Sequence, residues 1–253
     1  MATFEEKVKN FIITLKKYDT SKYMKNVFNP WKDYDTSLDA DETSVEKRCS
    51  NLRKYLKARE KAKYMLIAEA PGYQGCHFSG IPMTSERLIL NDKNNTYRLK
   101  GLERTSDKNK LIETKIYTPK YPNGRNIAKT VIEKGFAEPT ATIVWKQMVD
   151  VLHVSPTDFV LWNAFPFHPW SNSILSNRTP NNDEIDNTKY ILRKFINLFD
   201  ENIKIICIGN TSQNTLSKIL TTASGKVTKA RHPANGGADE FKNNIKDIIS
   251  SHN

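Results

Sequence analysis

Apolar residues recur along the chain with two different periods. Phe4, Val8, Phe11 and Leu15 fall three and four residues apart, which predicts an amphipathic helix over residues 1–18. Val45, Cys49, Leu52 and Leu56 repeat that spacing, with Ser44 placed to cap a second helix. Four short apolar runs read instead as strands: Tyr64–Ala68, Phe159–Trp162, Ile203–Ile208 and, more weakly, Lys226–Ala230. Helical patterns separate them. Ile143, Val144, Gln147 and Val151 precede the second run, and Ile185, Ile191, Leu192, Phe195 and Leu198 precede the third. Thr211 to Leu220 follows it. Strands alternating with helices imply right-handed crossovers. The predicted fold is a three-layer α/β/α domain with a central four-stranded parallel sheet, plus N-terminal helices. Residues 1–253 read as one domain, with 1–60 a helical N-terminal extension. The stretch 91–130 is the most polar and reads as a long surface insertion.

The residues after each strand are the informative ones. The first run ends in Glu69-Ala70-Pro71-Gly72-Tyr73, and the second in Asn163-Ala164-Phe165-Pro166-Phe167-His168. The third ends in Gly209-Asn210, and the fourth in Arg231-His232-Pro233-Ala234-Asn235-Gly236-Gly237. Ligands of open α/β sheets bind beyond the carboxyl ends of the strands. The chemistry-bearing residues therefore gather at one edge.

Composition narrows the class. The 253 residues suit one large domain with a real core. The apolar fraction, 38%, is modest but clustered, which argues against a disordered chain. No apolar stretch is long enough to cross a membrane, and the N-terminus lacks the apolar core of a signal peptide. Cys49, Cys76 and Cys207 are far apart and odd in number, against a disulfide framework or a CxxC metal site. A reducing, cytoplasmic setting is the default. Lys plus Arg total 39 against 28 Asp plus Glu, a net charge of +11. That balance points weakly to a polyanion partner, because Lys- and Asn-rich composition also arises from genome bias.

Each motif has a functional and a plain reading. Glu69 puts a carboxylate on a sharp turn, where it can activate or orient water; alternatively it caps the next segment. Phe78 lies between glycines and can stack a flat ring, or simply anchor its loop. Asn163 offers a donor and an acceptor side by side, matching a pyrimidine edge, or satisfies loop backbone. His232 can donate to a developing oxyanion, and the small residues after it permit close backbone approach. His168 and Trp170 either line the site or pack it. Cys49 and Cys207 read as core. Cys76 and His77 lack a second ligand pair for a metal.

Taken together, these motifs resemble the uracil-DNA glycosylase superfamily over roughly residues 62–249. Glu69-Ala70-Pro71-Gly72 looks like the first family motif in its family 4 form, with Ala68 in place of a leading Gly. Phe78-Ser79-Gly80 is similar to that group's Phe-x-Gly, Asn163 to the strand-end Asn, and Asn177-Arg178-Thr179-Pro180 to its Asn-Arg-x-Pro. Ile205–Asn210 is similar to the strand before the penultimate helix. Arg231-His232-Pro233 resembles the second motif, normally His-Pro-Ser, with Ala234 replacing the Ser that helps hold DNA phosphate. Family 4 enzymes carry an iron–sulfur cluster on four cysteines; with three, this chain is expected to hold no cluster, metal or other cofactor.

The resemblance implies hydrolysis of the N-glycosidic bond of uracil, or another deaminated base, flipped out of DNA. It makes Glu69 and His232 the catalytic pair. Phe78, Asn163, Tyr73 and Gly72 would bind the base, with Tyr73 placed to exclude a C5 methyl. Arg231, Ala234, Asn235, Gly236 and His168 are the expected DNA contacts of a monomeric enzyme. Two alternatives stand beside it: a non-catalytic DNA- or uracil-binding module on the same fold, and an α/β hydrolase of a small nucleotide.

Overall fold

The computed structural model describes residues 2–118, 121–220 and 227–251. Strands β1 (Tyr64–Ala68), β2 (Phe159–Asn163), β3 (Lys204–Ile208) and β4 (Val227–Ala230) form one parallel sheet in the order β2-β1-β3-β4. This is the expected architecture; Lys226, assigned to the last strand from sequence, lies outside the described residues. Every residue of β1 and β2 is buried, which explains their unbroken apolar sequence. The register sets Ala68 beside Asn163 and Ile208 beside Ala230, so the strand-end loops emerge at one edge.

The longer helices among the described residues are α1 (Phe4–Lys17), α2 (Ser44–Lys57), α3 (Pro139–Trp145), α4 (Asn182–Ile196), α5 (Asn210–Ile219) and α6 (Ala238–Ser250). The last turns after α3 widen into a π-helix, Lys146–Val151. Thr3 and Glu6 close a capping box on α1, as Asn181 and Glu184 do on α4. Ser44 does not cap α2. Thr43 holds that position, while the Ser44 hydroxyl, already inside the helix, donates to the Thr105 carbonyl at 3.3 Å.

Two segments that looked peripheral shape the site. The N-terminal extension folds back as a strap, and Val27–Phe28 pairs antiparallel with His168–Pro169. Trp31 is fully buried, stacks on Trp162 and donates from Nε1 to the Gly80 carbonyl at 3.0 Å. Arg48 and Asp39 form a fully buried two-pronged ion pair at 2.6 and 3.0 Å behind that strap. Gly80 has φ +71°, and a Cβ there would lie 2.6 Å from the Arg48 carbonyl oxygen, so only glycine fits. The polar stretch 91–130 is more than a surface insertion. Its Leu111, Ile116 and Ile127 join Phe136 in a second small core closed around Phe78. Those apolar residues are too sparse to show a period, and long-range packing gathers them.

Candidate active site

A cleft of about 850 Å³ opens at the carboxyl edge of the sheet, walled by Glu69, Gly72, Glu138, Asn177, Thr211 and His232 among others. Another cleft, about 750 Å³, lies at the amino-terminal edge near Tyr64 and Lys204, away from every strand-end motif.

Glu69 is the first residue beyond β1 and is half-buried. Thr211, in the first turn of α5, donates from Oγ1 to Glu69 Oε2 at 2.7 Å. The carboxylate is thus steadied from across the cleft rather than spent capping its own turn. The turn itself is clamped by Asn177, whose Oδ1 accepts from the Tyr73 N–H at 3.0 Å. A Cβ on Gly72 would sit 3.2 Å from the Asn177 amide, so that clamp requires a small residue.

His232 follows β4. Its Nδ1 accepts from the Ala234 N–H at 3.1 Å, which places the ring proton on Nε2 and leaves that donor for the cleft. Burial holds its pKa below the usual histidine value, with Arg231 adding to the effect and Glu69 opposing it. A neutral imidazole is the form that makes both of these hydrogen-bond roles possible. Gly209, at φ +90°, lets β3 turn away directly under the ring; a Cβ there would be 3.3 Å from His232 Cβ.

Asn163 ends β2 beside Ala68 and is 1% exposed. Both its Oδ1 and its Nδ2 lack a partner. Buried amides are rarely left so, since each orphaned group costs about 1–3 kcal/mol. Phe78 is fully buried, stacked on Phe136 at 5.1 Å with rings nearly parallel, and meets the edge of His77. Tyr73 packs edge-on against Phe136 at 5.6 Å. Phe78 and Asn163 therefore stand behind the cleft wall and half-buried Tyr73 is not part of it, whereas Glu69, Gly72, Arg231, His232, Ala234 and Asn235 line it.

Among the expected DNA contacts, Arg231 is exposed, with its guanidinium 3.7 Å from Glu240 and its backbone N–H donating to Asn244. Ala234, Asn235 and Gly236 are exposed at the tip of the same turn, where Asn235 and Gly236 have φ +54° and +79°. His168 is a correction. It is fully buried and reaches no surface. Its Nε2 lies 2.8 Å from the Ser176 carbonyl and its Nδ1 3.1 Å from His77 Nδ1. A carbonyl only accepts, so Nε2 carries the proton and Nδ1 accepts from His77. Burial pushes the His168 pKa down to about 3. This histidine anchors the loop that presents Asn177.

Three cleft residues were not singled out from sequence: Asn177 as the turn clamp, Thr211, and Glu138. Asn177 sits in the noted Asn-Arg-x-Pro stretch, where Arg178 grips Glu184 at 2.6 and 2.7 Å and accounts for that motif's structural half. Nothing local distinguishes Thr211 or Glu138. Cys49, Cys76 and Cys207 are buried free thiols, the first pushed up to about 11 and the last to about 12 by burial. No group of three His, Cys, Asp or Glu side chains arranged for a metal occurs among the described residues. No described helix is long and apolar enough to cross a membrane.

A family model for the Uracil DNA glycosylase superfamily matches residues 56–251. The solved structure of wild-type Pedobacter heparinus SMUG2 is similar in fold, with a TM-score of 0.59 at 15% identity, covering 100% of this chain and 97% of that one. A search of curated protein sequences finds no match.

Proposed function

The chain belongs to the uracil DNA glycosylase superfamily, and from that premise we propose that it releases uracil, or another deaminated base, from DNA by hydrolysing the N-glycosidic bond. The observation that carries this reading is the Asn163 amide, sealed at the strand end with neither atom paired. A donor and an acceptor held dry next to each other match the paired carbonyl and N–H of an oxo-base. One orientation of the amide meets that edge; cytosine, whose amino group and bare ring nitrogen reverse the pattern, needs the amide turned over.

The base is out of reach within the duplex and must be extruded. Phe78 offers it an aromatic face, worth roughly 1–3 kcal/mol in stacking. Since Phe78 and Asn163 lie behind the wall, base entry parts the Tyr73 and Phe136 side chains from the loop that carries Phe78. Tyr73, next to the turn, is positioned to crowd a C5 methyl. As the glycosidic bond breaks, its electron pair moves to the base, and negative charge develops on a base carbonyl. The neutral His232 donates there from Nε2–H. The deoxyribose becomes cationic, and the Glu69 carboxylate, steadied by Thr211, stabilises it and orients the attacking water, whose oxygen bonds the sugar carbon while the proton it sheds neutralises the departing base anion. Arg231 and the exposed turn at Ala234 and Asn235 face the DNA backbone, making binding salt-sensitive.

The test is formation of abasic sites in single- and double-stranded oligonucleotides carrying uracil, hypoxanthine or xanthine. Asn163→Ala and His232→Ala are expected to abolish most of it; base release untouched by both substitutions would sink the site assignment. A second reading, a binding module without turnover, is favoured by Ala234 standing where the resembling motif has Ser. Tight binding of uracil-containing DNA with no abasic product would decide for it. Release of base from free deoxyuridine but not from DNA would instead indicate a small-nucleotide hydrolase.

A further inference from the structure

Glu138 lies on the wall of the same cleft, just before α3. Its main-chain carbonyl accepts from the Thr142 N–H and hydroxyl, both at 3.0 Å, so the backbone starts the helix. Its carboxyl plays no part in that cap. Instead it lies over Gly75, packed so closely that a Cβ on Gly75 would come within 1.9 Å of Oε2. Only the missing side chain of Gly75 makes room for it. Glu138 is partly buried as a residue, yet Oε2 is sealed from solvent and has no hydrogen-bond partner. Like the Asn163 amide, which stands behind the wall, this lining residue keeps a dry oxygen without a partner.

We propose that Glu138 is a substrate-binding carboxyl which donates a hydrogen bond to an acceptor oxygen of the DNA, either a carbonyl of the extruded base or a backbone phosphate. This rests on the glycosylase reading of the cleft. An ionised carboxylate here would face a polyanion with one oxygen unsolvated, and would repel it. A neutral carboxyl removes that repulsion and supplies an O–H. Burial moves Glu138 in the required direction, up to about 7. The groups around it do not reverse this. The Cys76 thiol beside it is itself pushed well above its ordinary value and stays neutral. Glu69, Arg178, Arg231 and His232 line other parts of the cleft, and among the described residues none forms an ion pair with Glu138. The sign follows: Glu138 donates below about pH 7 and loses that ability as pH rises through it.

The experiment compares the wild-type chain with Glu138→Gln and Glu138→Ala, using base release and kcat/KM from pH 5.5 to 9. In parallel, the Glu138 carboxyl is titrated by carbon-13 NMR alone, with free uracil, and with an oligonucleotide carrying a tetrahydrofuran abasic analogue. The wild type is expected to lose about tenfold in kcat/KM for each pH unit above 7, a limb that Glu138→Gln flattens. Glu138→Ala is expected to fall about tenfold below the wild type at pH 6, with the Gln variant between them and thermal midpoints unchanged. One probe should raise the Glu138 midpoint by a unit or more; uracil doing so assigns the base carbonyl, the oligonucleotide the phosphate. A midpoint moved by neither probe overturns the proposal, as do identical pH profiles in all three proteins. A moved midpoint without any base release would instead remove the enzyme reading and leave Glu138 as a binding group.

Discussion

Two histidines follow strands of the same sheet, and the molecule uses them in opposite ways. His232, after β4, is half-buried, commits Nδ1 to its own turn and leaves Nε2–H for the cleft. His168, after β2, is fully buried with both ring nitrogens engaged, one at the Ser176 carbonyl and one at His77. Burial depresses both pKa values. Position relative to a strand end therefore brings a side chain to the right edge of the fold, but the hydrogen bonds already satisfied there decide whether it is a reagent or a strut. A shifted pKa does not distinguish the two, since desolvation acts on either.

The sharpest way to break this comparison is to remove each ring. His232→Ala should lower the rate of base release by about 10²–10³, the cost typical of a lost oxyanion donor, while leaving the thermal midpoint within a degree or two. His168→Ala should do the converse. It orphans the Ser176 carbonyl and the His77 N–H, and at about 1–3 kcal/mol for each buried unpaired group it should destabilise the fold by about 3 kcal/mol in urea titration. A rate loss in His168→Ala at unchanged stability would collapse the distinction.

Acid titration tests it next. His168 binds its proton near pH 6.5 when unfolded but only near 3 when folded. The unfolded state thus holds the extra proton between those values, and stability should drop by about 1.4 kcal/mol per pH unit as pH falls through that window. The contribution is fully present above pH 6.5, and replacing His168 should flatten the slope. His232, less depressed, should show itself as an acid limb in kcat, because protonation forfeits its bond from the Ala234 N–H. The smallest effect concerns the turn beside His232. Ala234→Ser adds a hydroxyl at an exposed position and should tighten DNA binding a few-fold, measured by fluorescence anisotropy at fixed salt. No change would mean that this turn does not meet phosphate.

The parts of this architecture that follow local rules were readable in advance. The four apolar runs, the helices between them and the turn-forming residues beyond them each depend on neighbours a few positions away. Glu69, Asn163 and His232 were placed at the sheet edge on that basis, and they are there. The misreadings have a common cause. Ser44 looked like a cap because it stands just before the apolar pattern, but Thr43 occupies the cap and the Thr105 carbonyl, sixty-one residues away, takes the Ser44 hydroxyl. The 91–130 stretch looked like a long surface insertion because Leu111, Ile116 and Ile127 follow no period, yet they close around Phe78. Asn177 and Glu138 gain their roles only by meeting the loop after β1, Asn177 at Tyr73 and Glu138 over Gly75.

The sequence by itself thus determined the strand order of events along the chain, the edge at which chemistry gathers and the residue types available there, because periodicity and turn chemistry are properties of adjacent residues. Only the tertiary structure decided which of those residues face the cleft, which histidine keeps a free N–H, and which amide and carboxyl are left dry and unpaired. Burial and hydrogen-bond saturation are set by groups distant in the chain, and it is these that convert a side chain's chemistry into a site.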